Sequence, residues 1–189
     1  MPDVIVIGDG PGGLSAALFL AKNGKKVEVF GEDRTAMHAA MLHNYLGVEA
    51  MLGSDFQALA RRQVEAQGAA IHDDKVASLT SEDGGFTVTT AAGKTLTATA
   101  VVLSEGRSNR LAKKLGLAVD DEGAIVTDKN GLTATPGLYV VGRAARPGRS
   151  QAVISAGDGA AAAIDILSRE QGKAFNDWDS PPSPDDPTT

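Results

Sequence analysis

Runs of apolar residues along the chain predict a parallel β-sheet. Val4–Ile7 and Ala100–Leu103 are apolar at every position, which is typical of strands buried on both faces. Lys26–Phe30 is a third β-prone run. Apolar residues recur at helical spacing over Leu14–Asn23, and they do so again in an alanine-rich segment at about 151–167. Strands that alternate with helices in this way predict an α/β fold.

A different pattern occupies the middle of the chain. Three short β-prone runs, Val76–Leu79, Phe86–Thr90 and Leu96–Ala100, are separated by turns that contain glycine. They predict a small antiparallel meander. We therefore expect three layers, with helices on one side of a parallel central sheet and the meander on its other side.

The remaining elements are less regular. Ser54–Gln57 has the spacing of a capping box and predicts the start of a helix that ends at Gly68. Ala69–His72, Ala124–Val126 and Leu138–Val141 have the composition of further strands.

The turn after the first strand is the part of the sequence that most specifically indicates a ligand site. Gly8, Gly10 and Gly13 form the pattern G-x-G-x-x-G between a strand and a helix. The first glycine allows a tight turn, the second lets a pyrophosphate approach the backbone, and the third brings helix and strand together. Gly12 belongs to the same turn, and Pro11 suits the first helical turn. The free N–H groups of the helix then face the pyrophosphate, which predicts a Rossmann-like site for an adenine dinucleotide.

Acidic residues follow the second strand at the distance expected for a contact with ribose. Glu32 and Asp33 directly follow that strand. Either side chain can accept a hydrogen bond from a ribose 2′-hydroxyl, which suits FAD or NAD. Arg34 lies next to them and leaves NADP as an alternative.

Composition narrows the class of function. The chain has 189 residues, of which 42% are hydrophobic and 22% are charged, as in soluble globular proteins. Its net charge of −6 argues against a nucleic acid or an anionic membrane as a partner. No apolar run has membrane-spanning length, and the first residues lead directly into a strand, so we expect a cytoplasmic protein.

Cysteine and histidine usage limits the chemistry further. The chain contains no cysteine, which excludes disulfides, thiolate metal ligands and dithiol redox chemistry within it. His38, His43 and His72 lack the spacing of metal ligands, so no metal site is predicted.

A second motif that is relevant to cofactor binding lies near the C-terminus. Thr135–Ala144 is a turn and a strand ending in glycine, and Arg149–Ala152 opens the final helix. This segment resembles the C-terminal FAD-binding motif of the thioredoxin reductase-like flavoproteins. Asn44–Gly47 is similar to the Asn-Tyr/Trp-Pro-Gly loop of that family, and Val101–Gly106 is similar to the strand that ends in its Ala-Thr-Gly turn. With the N-terminal glycine turn included, nearly all of residues 1–168 resembles the family in the family's order.

The resemblance implies FAD as the cofactor, extended across the carboxyl ends of the strands. Adenosine is expected near the N-terminal glycine turn, and the isoalloxazine near Asn44, Tyr45 and the start of the final helix. No catalytic residue is assigned, and His43 and Tyr45 are the nearest candidates. The full set of expected cofactor-binding residues is Gly8, Gly10, Pro11, Gly12, Gly13, Glu32, Asp33, Asn44, Tyr45, Gly106, Gly142, Arg143, Ser150, Gln151 and Ala152.

One domain of the family has no counterpart in this sequence. Full-length members carry an NAD(P)H domain, with a Cys-x-x-Cys motif, between the Ala-Thr-Gly-like turn and the C-terminal motif. The gap from Gly106 to Ala124 is too short for it, because a second dinucleotide fold needs on the order of a hundred residues. The expected division is a single FAD-binding domain at 1–169, with halves 1–106 and 120–169 joined by a short linker, and an extended acidic, proline-rich tail at 170–189.

Four positions depart from the family pattern. Arg143 stands where the family has an aspartate that bonds the flavin ribityl chain, Ser104 and Glu105 replace Ala-Thr, and Leu46 replaces a proline. Arg143 is expected either to donate to a phosphate or ribityl oxygen or to disfavour FAD.

The predicted function is that of an FAD-dependent oxidoreductase. Because the NAD(P)H domain and the dithiol are missing, electrons are expected from a partner protein or a diffusing reductant. The alternatives are a flavin-binding module without turnover, such as a redox sensor, and an NAD(P)-binding protein. The resemblance also implies a homodimer.

Overall fold

The parallel sheet predicted from the apolar runs lies at the centre of the structure. The computed structural model describes residues 1–82 and 84–181. Within these residues the strands, numbered in chain order, are β1 (Val4–Ile7), β2 (Val27–Gly31), β3 (Met41–Leu42), β4 (Met51–Leu52), β5 (Ala70–Asp73), β6 (Val76–Glu82), β7 (Gly85–Thr90), β8 (Thr95–Ala98), β9 (Ala100–Leu103) and β10 (Leu138–Val140). The central sheet has the order β10-β9-β1-β2-β5, and all its strands are parallel. This confirms the predicted fold class.

Alternate side chains of β1 divide the core into two layers. Val4 and Val6 are fully buried in the cluster that includes the helices. Ile5 and Ile7 point to the opposite face, where they join Phe86 and other residues of the meander. Because successive strand residues face opposite sides, a strand that is apolar throughout is suited to this middle layer.

The three longer helices cover the first of these faces, whereas the short helix at Arg110–Lys114 buries Leu111 and Ala112 on the meander side. Their bounds are α1 (Pro11–Lys22), α2 (Gly53–Ala66), α3 (Arg110–Lys114) and α4 (Ala152–Gln171), and short 3₁₀ turns span Ala36–Ala39, Gly142–Ala144 and Pro147–Arg149. The helix α4 packs on α1 at very short range, since a Cβ built on Gly159 would overlap the carbonyl oxygen of Gly12. Glycine at both positions therefore brings the two helices into backbone contact.

The meander covers the other face of the sheet. Strands β6, β7 and β8 pair antiparallel in that order, as predicted. The two-residue strands β3 and β4 pair separately and close a small hairpin over residues 41–52. This hairpin stands in what the sequence presents as a long loop.

Some local predictions are wrong. The helix α2 begins at Gly53 with Leu52 as its N-cap and no side-chain capping bond, so the Ser54 capping box does not form. The predicted strand Ala124–Val126 is reduced to an isolated bridge between Val119 and Ile125. No helix was expected around Arg110–Lys114, because only its buried Leu111 and Ala112 are apolar.

The segment after α4 is partly anchored. Because α4 continues to Gln171, the tail starts later than the predicted residue 170. Phe175 packs on the helix-side core, and Asp177 accepts a hydrogen bond from Lys22 Nζ at 2.8 Å, whereas Trp178 is 78% exposed. The part of the predicted tail at 182–189 lies outside the described residues.

Candidate cofactor-binding groove

A groove of about 730 Å³ runs along the carboxyl ends of the central strands. This is the place where open α/β sheets bind their ligands, and the volume is in the usual range for small-molecule sites. Twelve of the fifteen predicted cofactor-binding residues line it, namely Gly8, Gly10, Pro11, Gly12, Glu32, Asn44, Gly106, Gly142, Arg143, Ser150, Gln151 and Ala152. Residues from both ends of the chain therefore meet in one groove.

Two helix N-termini face this groove. The helix α1 starts at Pro11, with Gly10 as its N-cap, and α4 starts at Ala152. A Cβ built on Gly10 would have no atom within 4 Å, so the space beside this backbone is open. Unpaired N–H groups and the positive ends of both helix dipoles favour negative charge here.

The other two motif glycines have structural tasks, Gly8 at the groove wall and Gly13 behind it. Gly8 has a φ of 105°, which side-chain-bearing residues rarely adopt, and a Cβ on Gly13 would overlap the Gly8 carbonyl oxygen. The Gly13 N–H donates to Ser104 Oγ at 3.1 Å. Ser104, one of the departures from the family pattern, therefore ties the end of β9 to the glycine turn. Gly13 itself does not line the groove.

The second departure, Glu105, also has a structural partner. Its carboxylate accepts hydrogen bonds from the backbone N–H of Leu111, at 3.0 Å to each oxygen, and from that of Ala112, at 3.2 Å. It satisfies free N–H groups of the first turn of α3, a role that a carboxylate performs well. Ser104 thus holds the glycine turn, whereas Glu105 holds the linker that follows β9.

The loop before β4 reaches the C-terminal motif through one hydrogen bond. Asn44 Nδ2 donates to Gln151 Oε1 at 3.1 Å. Tyr45 does not line the groove, because its ring packs on Phe56 with 5.2 Å between the ring centroids. His43 is exposed and also lies outside the groove lining. Neither of the two nearest catalytic candidates is thus placed at the groove wall.

A buried carboxylate organises the end of the groove next to β2. Asp9 is only 4% exposed, and its Oδ2 accepts from Arg61 Nη1 and, at 3.1 Å, from the backbone N–H of Asp33. Gln57 Nε2 donates to the Asp9 carbonyl at 2.6 Å. Burial raises the pKa of the Asp9 carboxyl, and the Arg61 guanidinium acts in the opposite direction.

The same contacts fix the acidic loop that follows β2. Asp33 adopts a left-handed conformation with φ of 50°, and its Oδ1 accepts a hydrogen bond from His38 Nε2 at 3.0 Å. Asp33 therefore turns away from the groove lining, whereas Glu32 lines it. Of the two residues predicted for the ribose contact, the structure places Glu32 at the groove.

Arg143 lies at the opposite end of the groove. It follows Gly142, whose φ is 68°, and its side chain is half-buried. Among the described residues it has no ion-pair or side-chain hydrogen-bond partner. Its guanidinium donors are therefore available to a ligand in the groove.

Sequence reasoning missed the most tightly bonded group of this site. Asp9 is visible inside the glycine turn, but its partner Arg61 lies on α2 and no local pattern links the two. Within the described residues, no three His, Cys, Asp or Glu side chains are arranged to hold a metal ion. Every helix in that part of the chain is too short or too polar to cross a lipid bilayer.

Fold and groove together define an α/β protein of the Rossmann type, with its groove at the carboxyl ends of the strands. The chain belongs to the pyridine nucleotide-disulphide oxidoreductase family, whose sequence profile matches residues 2–50 and 47–159. Thioredoxin reductases from Streptomyces clavuligerus and Streptomyces coelicolor are 36% and 34% identical over 124 residues, which is 63% of this chain. The matched region is 38% of the length of those curated relatives.

Solved structures show the same fold at lower identity. A thioredoxin reductase from Gloeobacter violaceus has a TM-score of 0.85 at 18% identity, with 95% of this chain and 99% of that chain covered. A ferredoxin-flavin thioredoxin reductase from Clostridium acetobutylicum has a TM-score of 0.78 at 19% identity, with 91% and 99% covered. These likenesses establish the architecture.

Proposed function

We propose that this chain binds one FAD non-covalently along the groove. The observation that carries the proposal is that the N-terminal glycine turn and the C-terminal motif, separated by about 130 residues in sequence, line one continuous groove. The flavin enzymes of the family to which the chain belongs resemble it in both motifs.

The residues of the groove fit such a cofactor. Open space beside Gly10 leaves room for a pyrophosphate against the N-terminus of α1. Glu32 provides an acceptor for ribose hydroxyls at the β2 end, and Arg143 provides donors at the other end. The N-terminus of α4 stabilises negative charge on the edge of a flavin ring placed there.

The activity that we propose is that of an FAD-dependent oxidoreductase. When bound, FAD supplies the two-electron redox chemistry. The protein orients it through the two helix N-termini, and the residues at the groove wall set the charge around it. The relatives named thioredoxin reductase support an enzymatic role.

We further propose that the electrons come from a partner protein or a diffusing reductant. Between β9 and β10 every residue is described, and the only helix there is the five-residue α3. This linker cannot hold a nicotinamide nucleotide in the way a second dinucleotide-binding domain does. A ferredoxin-flavin reductase among proteins of the same fold gives a precedent for a protein donor.

The cofactor proposal is tested on the purified chain. Protein is heated, and the released cofactor is identified by mass and by its flavin spectrum. We expect FAD at one equivalent per chain, either as purified or after incubation with added FAD. Colourless protein that does not take up added FAD, or protein that retains NAD(P) instead, contradicts the proposal.

The electron source is tested by anaerobic reduction of the FAD-loaded chain. NADPH is expected to bleach the flavin slowly and without saturation. Proximity and orientation supply about 7–11 kcal/mol of a barrier, and the segment between β9 and β10 holds no domain that could position the nicotinamide. Saturable and rapid bleaching contradicts this part of the proposal. Dithionite serves as the control that the flavin is reducible.

Two further parts of the proposal concern the state of the protein in the cell. We propose a homodimer in the cytoplasm, by analogy with the family resemblance described above. Light scattering on the FAD-loaded chain tests the first, and a particle of monomer mass contradicts it. Fractionation of cells tests the second, and recovery with membranes contradicts it.

A further inference from the structure

A small pocket lined by positive charge adjoins the cofactor groove. Arg107, Lys113 and Arg143 line it together with Asn109, and no carboxylate belongs to the lining. The chain as a whole carries a net charge of −6, so this concentration of cations runs against its overall charge. The pocket is formed by the linker after β9 and by the loop after β10.

The three cations have no charged partners inside the protein. Among the residues that the structure describes, none of the three takes part in an ion pair or donates a side-chain hydrogen bond. Neighbouring arginines behave differently, because Arg146 donates to Asp158 at 2.9 Å and Arg110 donates to the Ala77 carbonyl at 2.9 Å. Three unpaired cations around one pocket repel each other, and a bound anion removes that repulsion.

The polar residue of the pocket is also unpartnered. Asn109 is 9% exposed, and its Oδ1 is buried without a hydrogen-bond partner among the described residues. Buried polar atoms in folded proteins are nearly always paired, so one without a partner needs an explanation. Because solvent does not reach this oxygen, a ligand in the pocket does not contact it, and the cations of the lining carry the recognition.

The position of the pocket connects it with the proposed function. Gly106, Arg107 and Arg143 line both the pocket and the cofactor groove. A ligand in the pocket therefore lies next to the end of the groove where the flavin ring is proposed. Acidic residues nearby do not fill the pocket, because Glu105 is bonded to the backbone of α3 and Asp120 to that of Glu122 and Ala124.

We infer that this pocket binds the phosphate or carboxylate groups of a small-molecule ligand beside the cofactor. Arginine presents a planar fork of donors that matches both oxyanions, and lysine adds a point charge. The statement that the ligand lies beside FAD rests on the proposed function, whereas the anion site itself does not. The ligand class is a small, polyanionic metabolite.

Calorimetric titration of the full chain, loaded with FAD, tests the inference. Inorganic pyrophosphate is one probe and citrate is the other, so the two arms distinguish phosphate from carboxylate recognition. Lys113→Ala is compared with Lys114→Ala, because both residues are exposed on α3 and only Lys113 lines the pocket. We expect one site for at least one probe, about tenfold weaker binding in Lys113→Ala, and less than twofold change in Lys114→Ala.

Several results would overturn the inference. Neither probe binding to the wild type, or equal weakening in both lysine variants, means that no defined site exists at the pocket. Competition between pyrophosphate and FAD places the anion in the groove instead. If the chain fails to bind FAD while pyrophosphate binding still depends on Lys113, the anion site stands and the cofactor proposal fails.

Discussion

The two ends of the groove differ in how their charges are balanced. At the end next to β2, Asp9 pairs with Arg61, which also pairs with Asp73, and Glu32 lies 3.9 Å from Arg34. At the end formed by the linker and the C-terminal motif, the cations Arg107, Lys113 and Arg143 have no such partners in the described structure. At the first end the charged side chains are paired within the protein, and at the second end they are not.

This difference separates residues that shape the groove from residues that are available to a ligand. Buried and paired groups at the β2 end hold the loop in one conformation before any ligand arrives, which reduces the entropy lost on binding. The unpaired cations gain new hydrogen bonds only when an anion binds. Substitutions at the two ends should therefore lower the affinity for FAD to different extents. A substitution in the middle of the groove serves as the reference.

The largest effect is expected between the two ends, at Gly10. Gly10→Val should abolish FAD binding, because its side chain enters the open space where the pyrophosphate is expected. The empty protein should fold normally, since Gly10 has a φ of −74° and no clash is created. FAD titration and a thermal unfolding curve are measured together. Gly157→Val, which adds the same side chain at an exposed site outside the groove, is the control and should bind FAD normally.

At the unpaired end, Arg143→Ala should weaken FAD binding by about 10- to 150-fold. The reason is the loss of a charge-assisted hydrogen bond to a cofactor oxygen, roughly 1.5–3 kcal/mol. FAD is titrated into the apo-protein of the wild type, Arg143→Ala and Arg143→Asp. Equal affinity of the wild type and the alanine variant rules out the donor role. Tighter binding by Arg143→Asp means that the acceptor of the family motif suits this groove better than arginine.

At the paired end, Asp9→Asn should weaken FAD binding by only about 3- to 10-fold. The substitution removes the charge that pairs with Arg61, and it weakens the hold on the Asp33 N–H that shapes the loop carrying Glu32. FAD titration gives the affinity. Asp73→Asn is the matched control, because it also removes a contact to Arg61 but lies outside the groove lining. Equal affinities for both variants would mean that Asp9 has no special role in positioning the loop.

The smallest effect concerns the stability of the cofactor-free protein. Burial raises the pKa of Asp9 above its ordinary value of 3.8, so the folded state binds this proton more tightly than the unfolded state does. The contribution of Asp9 to stability is therefore fully present at low pH and is lost as pH rises through its folded-state pKa. Urea unfolding of the wild type and Asp9→Asn from roughly pH 4 to pH 7 measures this. The wild type should lose stability relative to the variant as pH rises, and a difference that grows in the other direction would refute the raised pKa.

Local sequence patterns were sufficient for most of the fold. Val4–Ile7 is apolar at every position because it lies between two layers, and that property is visible in the sequence. The glycine turn and the C-terminal motif account for nine of the twelve predicted residues that line the groove, since each needs a specific backbone geometry or composition. The other three are Glu32, Asn44 and Gly106. The order of strands in the sheet depends on long-range packing, which a local pattern does not encode.

The predictions that failed did so because of packing contacts that the local sequence does not show. Ser54 was expected to cap α2, but the helix starts at Gly53, two residues earlier than that cap implies. The backbone of Gly53 packs too closely on the Met37 carbonyl to leave room for a side chain. Ala124–Val126 has strand composition, yet only Ile125 finds a bridging partner. Glu105 and Asp9 act through partners brought together by the fold, so their roles become visible only in three dimensions.

The backbone contact between Gly12 and Gly159 also bears on the order of events during synthesis. Residues 1–103 contain the glycine turn and four of the five central strands, but α4 supplies the second helix terminus of the groove. A nascent chain without α4 exposes the Gly12 side of α1 to water and has only half of the site. Contacts between residues so distant in sequence form slowly. We therefore expect the cofactor to bind late, after the last helix has docked on α1.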